Sequence, residues 1–455
     1  GYHLVQNDGA NTNYFGQNLV NTVADGIYHL GFEIKGNNVL NEDGNNNASL
    51  TDLASWINYF YKGNALIYGS DNTETINGTD DAEEIEARNG NDTINAGAGN
   101  DFVNGGWGAD TILGGIGDDI IVGAGDDDTV NGQEGADTYL ITGNVAGGWS
   151  SFQGYDTYAD SGTTGVDTIK ALGDAAVDIG LLNFDITSGI EVIDGTGAKG
   201  TVRLLGNDSA NVLDFSTVKL VGTNVVIDGG YGDDTIIGNA AANIAFGGGG
   251  NDNLDLWDGA DTYQVTGNIA GGWSSFQGFD TYEDTGTTGI DTLKAIGDGA
   301  VDIGLKKFDA SSGIEVIDGT GAKGAVRLVG DDSASLFDFR TTKFVGSNLS
   351  IDGGNGNDTI KGSAGNDIML GGRNNDILLG SDGTDKLDGG EGDDILLDNA
   401  GKNDVLIGGV GRDRLVVGHS GKSQVDLWGG STDAKDATSD TSGILNSSTA
   451  IDVVA

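Results

Sequence analysis

The chain contains no proline, no cysteine and a single methionine. Without cysteine it has neither a disulfide framework nor a thiolate zinc site. Without proline it is not collagen, although 82 of its 455 residues are glycine. Positive charge is also scarce: 22 Lys and Arg stand against 70 Asp and Glu, a formal net charge of −48. A nucleic-acid partner needs a basic surface, so none is expected. No apolar run approaches the roughly 18 residues of a membrane span, so none of those is expected either. Catalytic signatures are thin as well. His3, His29 and His419 lack zinc-protease spacing, and no Gly-x-Ser-x-Gly elbow occurs. GTGAKG, at 195–200 and 319–324, precedes strand-like text rather than a helix, so it reads as a turn and not a dinucleotide loop.

What is present must offset two costs. Uncompensated negative charge opposes a compact state, and abundant glycine adds backbone entropy to be lost on folding. A repeat answers both. From Gly69 the chain reads in nines through Leu140: GSDNTETIN, GTDDAEEIE, ARNGNDTIN, AGAGNDFVN, GGWGADTIL, GGIGDDIIV, GAGDDDTVN, GQEGADTYL. The sixth position is acidic throughout, and from the third unit it is Asp92, Asp101, Asp110, Asp119, Asp128 and Asp137. The eighth is large and apolar, as in Ile94, Val103, Ile112 and Ile121. A middle block at 229–264 places Asp234, Asp252 and Asp261 at the acid position, with Asn243 where a fourth acid belongs. A third block starts at Gly353 with Asp358, Asp367, Asp376, Asp385 and Asp394. One extra residue, Asp398, then shifts the register before Asp404 and Asp413.

The pattern G-G-x-G-x-D-x-U-x, with U a large apolar residue, resembles the RTX (repeats-in-toxin) family of hemolysin-type calcium-binding proteins. The resemblance implies an all-β fold, a right-handed parallel β-roll or β-helix solenoid. In such a roll six residues turn and x-U-x forms a short strand, so two nonapeptides complete an 18-residue coil. Glycine admits left-handed backbone and leaves carbonyls open to a hard cation, which takes 6–8 oxygen ligands. The resemblance places calcium between stacked turns, with the aspartates named above other than Asp398, sixteen in all, as ligands. About 10 ions are expected on that coordination logic, cancelling roughly 20 negative charges.

Residues 137–236 align without a gap to 261–360, an offset of 124 that marks a tandem duplication. AGGWSSFQG and GIEVIDGTGAKG occur in both copies. Each copy holds an insert outside the nonapeptide pattern, with short apolar runs separated by Gly, Asn, Asp and Thr as in turn-linked strands. The insert either continues the solenoid in longer, calcium-poor coils or forms a small separate β domain. Continuation is favoured because nonapeptides flank it directly. Trp149 and Trp273 in the duplicated loop read as packing, with sugar stacking as the alternative.

The expected organisation is therefore a cap or assembly region at 1–68, a roll block at 69–140, an insert at 141–228, a second block at 229–264, a second insert at 265–352, a third block at 353–430 and a tail at 431–455. The segment SLTDLASWINYFYKG predicts one amphipathic helix in the N-terminal region, with Ser49 or Thr51 as its cap and Gly63 at its end. No N-terminal signal peptide is read, whereas the acid-then-apolar end Ile451–Ala455 resembles the uncleaved signal of type I exported RTX proteins. Secretion to the cell surface or extracellular space is expected. The chain is read as a non-enzymatic structural protein that assembles as a homo-oligomer or polymer, such as a filament or surface layer, with cell-surface polysaccharide as a possible partner. The alternatives are the export and folding module of a secreted enzyme or toxin, or a glycan-binding adhesin.

Overall fold

The computed structural model describes residues 65–142, 153–266, 277–398 and 400–416 in full, and in the two terminal regions the backbone of the strands named below. The expected N-terminal helix segment is 49–63, of which Ser49 ends the strand Asn46–Ser49 while 50–63, like the Trp149 and Trp273 loops and most of the tail, lies outside the described residues. Among the described residues the only helical segment is a 3-10 turn, Ala310–Ser312, capped by Asp309. The rest is strand and turn. The chain divides into two compact units, Gly1–Asn207 with Leu213–Asp228, and Asp208–Val212 with Gly229–Ala455.

The first unit winds two parallel sheets. One orders the strands Ala65–Tyr68, Glu83–Glu86, Phe102–Trp107, Ile120–Gly125, Thr138–Thr142, Thr168–Gly173, Val192–Ala198 and Lys219–Val221. The other takes the intervening strands, from Thr75–Asn77 through Thr111–Ile116 and Tyr155–Tyr158 to Val225–Asp228. In the nonapeptide block each strand pairs with the one 18 residues on, as Val103 with Ile121 and Ile112 with Val130. The eighth-position residues of this block thus fall into two facing apolar columns, one on each sheet. Ile85, Ile94, Val103 and Ile112 are completely buried. A side chain of this size contributes about 1.5–3 kcal/mol when fully buried.

The same stacking runs through the insert with longer coils. Val130 pairs with Tyr158, Tyr139 with Ile169, Ile169 with Ile193, and Val202 with Val225. Larger coils enclose more interior, and aromatics fill it. Tyr139 meets Tyr158 edge to face at 5.4 Å, and Phe184 stacks on Phe215 at 5.1 Å. On the outside, Arg203 bonds Asp178 and Asp228 on the coils before and after it, tying three coils together. A separate five-stranded antiparallel sheet, Val5–Asn7 to Asn46–Ser49, occupies the N-terminal region. The sequence suggests no such strands there.

The second unit repeats the plan at the offset of the duplication. Tyr263 meets Tyr282 at 5.9 Å, Phe308 stacks on Phe339 at 4.8 Å, and Arg327 bridges Asp302 and Asp352. Its parallel sheets end differently. Ser442–Asn446 adds antiparallel to Lys422–Asp426, and Ile451–Val454 adds antiparallel to Arg414–Val417. Open strand edges invite association, and these two strands cover two of them.

Candidate metal centres

The aspartate of each nonapeptide sits at the start of a strand, where turn meets sheet, and it is buried. Asp101 and Asp137 have no exposed surface, and Asp92, Asp110, Asp119 and Asp128 have 2% or less. One carboxylate oxygen has a structural duty. The Asp92 backbone N–H donates to Asp110 Oδ1 at 2.7 Å, Asp101 to Asp119 at 2.8 Å, Asp110 to Asp128 at 2.8 Å and Asp119 to Asp137 at 2.7 Å. The ladder recurs in the second unit, from Asp234 to Asp252, Asp358 to Asp376, Asp367 to Asp385, Asp376 to Asp394, Asp385 to Asp404 and Asp394 to Asp413.

The second oxygen is left over. Oδ2 of Asp92, Asp101, Asp110, Asp119, Asp128 and Asp137 is buried with no hydrogen-bond partner, as is that of Asp252, Asp261, Asp358, Asp367, Asp376, Asp385 and Asp394. An ionised oxygen buried without compensation is costly. These oxygens share one environment. A Cβ built on Gly105 would collide with Asp110 Oδ2 and with the carbonyl oxygen of Gly123 on the next coil. Gly114 stands the same way to Asp119 Oδ2 and the Gly132 carbonyl, and Gly371 to Asp376 Oδ2 and the Gly389 carbonyl. Glycine at the first position therefore leaves a space into which a carboxylate and a carbonyl oxygen converge. A set of hard, partly anionic oxygens suits calcium. The residues fit the ion.

Without a cation the carboxyls resist ionisation. Burial pushes Asp101 and Asp110 up to about 6, Asp376 to about 7, Asp119 to about 8 and Asp128 to about 9. The ladder bond from the preceding coil opposes the shift, and neighbouring carboxylates add to it.

Imperfect units differ in an instructive way. Asn243 continues the ladder, its N–H donating to Asp261 Oδ1 at 2.6 Å, but its own amide is consumed by Asn239. That turn has no spare anionic oxygen. Glu83, one methylene longer, folds back onto the Thr79 N–H and hydroxyl. Asn374 holds the fourth position of its unit with φ of 71°, a left-handed value Asn tolerates better than most residues.

The ladder also extends past the nonapeptides, onto residues that sequence reasoning missed. Asp128 donates to Asp156, Asp137 to Asp167, and Asp167 to Glu191. Asp280, Asp291 and Glu315 do the same in the second unit. The available signal was the acid-x-apolar triplet, as in Asp167-Thr168-Ile169, which survives without the glycines.

Comparison with known proteins agrees with this geometry. The family described as the RTX calcium-binding nonapeptide repeat (4 copies) matches residues 68–103, 77–112, 104–139, 228–263, 350–378, 371–401 and 379–415. A search of curated proteins gave no match.

Proposed function

We propose that this chain, which carries RTX calcium-binding nonapeptide repeats, is a secreted structural protein of the cell surface or extracellular matrix, folded by calcium after export and self-assembling into filaments or layers. The sixteen repeat aspartates hold about 10 calcium ions between stacked turns. The observation that carries the reading is the column of buried, unpartnered carboxylate oxygens facing glycine carbonyls. Such a column is strongly destabilising without cations and cohesive with them, so metal binding becomes folding free energy. Free calcium is scarce in the cytosol and plentiful outside, which makes export the trigger.

The structural role rests on how the residues are used. The repeat acids serve as ladder acceptors and cation ligands, and Tyr158, Phe184, Phe215, Tyr282, Phe308 and Phe339 of the inserts pack in the coil interiors. Acidic charge beyond that of the metal sites supplies groups for calcium bridging between molecules. Electron microscopy of the purified protein in calcium, and again after chelation, tests the assembly. Ordered filaments or sheets that disperse on chelation are expected. Monodisperse particles in both conditions would overturn the structural role while leaving calcium binding intact.

A further inference from the structure

Two places in the first unit and the second depart from the 18-residue stride in the same manner. Where the first insert coil stacks on the last nonapeptide, Asp137 is followed by Asp167, 30 residues on, as its ladder acceptor. The longer coil brings in a further acid. Asp137, Asp160 and Asp167 each offer a carboxylate oxygen, all within 4.8 Å of one another, and all three residues are buried. Asp160 enters from the turn position that a nonapeptide gives to its leading glycine, since Ala159 N–H bonds the Val130 carbonyl just before Gly132. A side-chain carboxylate thus enters from a position where a regular turn has only a glycine, whose missing Cβ leaves space beside the repeat acid.

The trio is not self-satisfied. Asp137 is 0% exposed, and its Oδ2 has no partner. Asp160 is held in place, its Oδ2 accepting from Tyr139 Oη at 2.7 Å and its Oδ1 from Gly162 N–H at 2.7 Å. Each of those oxygens keeps a second lone pair. In the duplicate, Asp261 is likewise followed by Asp291, 30 residues on, but the Tyr263 hydroxyl donates to the Glu283 carbonyl, and no second trio forms there among the described residues. Asp261 Oδ2 is again buried and unpartnered. Family matches end at 139 and 263, so Asp160, Asp167, Asp284 and Asp291 fall outside them.

We propose that the first duplicated module carries a further calcium site at the border of the nonapeptides, built from the repeat acid Asp137 and from Asp160 and Asp167 outside the repeat. Three carboxylates on one divalent cation leave a net negative site, and ligand charge is what tunes calcium affinity. This site outlasts the regular ones as calcium is withdrawn. It also holds the larger insert coil onto the roll, where the glycine turn is missing. The inference rests on the calcium reading above.

The test is the number of bound ions in the full-length protein, counted by native mass spectrometry at saturating calcium. Asp160→Asn is expected to lose one ion relative to wild type, and Asp284→Asn none. Asn keeps an oxygen for the tyrosine hydroxyl, so the coil packing is retained. Crystals of the wild-type protein soaked in terbium need no substitution, and anomalous density is expected between the three carboxylates. An unchanged count in a folded Asp160→Asn variant, or three carboxyls sharing protons with no anomalous peak, would overturn this site. Wild type that binds no calcium at all would instead overturn the calcium reading itself.

Discussion

Glycine at the first position of a nonapeptide matters for what surrounds it rather than for its own backbone. At Gly114 a methyl group would collide with Asp119 Oδ2 and the Gly132 carbonyl. Gly114→Ala is therefore expected to cost about 1–3 kcal/mol of stability, within the usual range for overpacking. The same change should displace the ion between those turns. Denaturant melts in saturating calcium, with ion counts alongside, would show it, and an unchanged midpoint would argue against a shared oxygen cradle. Acidity acts on the same oxygens. Asp119 and Asp128 rise to about 8 and 9 in the metal-free roll, from an ordinary value of 3.8. The folded form then binds more protons than the unfolded chain between those limits. This contribution favours folding fully below about pH 4 and is lost as pH rises toward 8 or 9. Metal-free protein should gain β signal in circular dichroism on acidification from pH 8 to 5.5, while the calcium needed for folding increases because protons compete for the ligands. Loss of β signal over that range would contradict the assigned burial.

At the scale of the coil, the repeat was legible because its period is strict. Nine residues place every acid at a turn and every apolar residue in a column, so Asp110 and Ile112 were readable without coordinates. The inserts keep the same ladder but vary the coil length. Asp128 reaches Asp156 over 28 residues and Asp137 reaches Asp167 over 30. A ligand pattern hidden by variable spacing does not show as a period, and only the acid-x-apolar triplet persists. Asp160 was less legible still, because its place depends on how the extra turn residues fold. The column itself makes a direct prediction. Ile112 is completely buried between its neighbours two strands away, whereas Ile116 is 66% exposed on the same strand. Ile112→Ala should cost about 2–5 kcal/mol, and Ile116→Thr less than about 0.5 kcal/mol. Equal effects in calcium-saturated urea melts would mean that the inward and outward positions of the strand had been misassigned.

For the molecule as a whole, the question is whether charge is relieved by screening or by binding. The net charge of −48 would be softened by salt if it lay only on the surface. The repeat acids are buried, however, and salt screens buried charge poorly. Chelator-stripped protein in 1 M sodium chloride, where the Debye length is about 3 Å, should therefore remain largely unfolded by circular dichroism. Millimolar calcium should restore the β signal in a cooperative step. Folding in sodium chloride alone would remove the argument for specific sites.

The carboxylate ladder has a sense of direction within each unit. Every bond runs from the backbone N–H of one coil to the side chain of the coil that follows it in sequence. A break on the N-terminal side of a coil frees only a carboxylate oxygen, which water can solvate. A break on the C-terminal side strips a buried N–H of its acceptor and removes an anionic ligand as well. Fraying should therefore start wherever a following coil is lost and travel toward the N-terminus, as a seam opens more easily from one end.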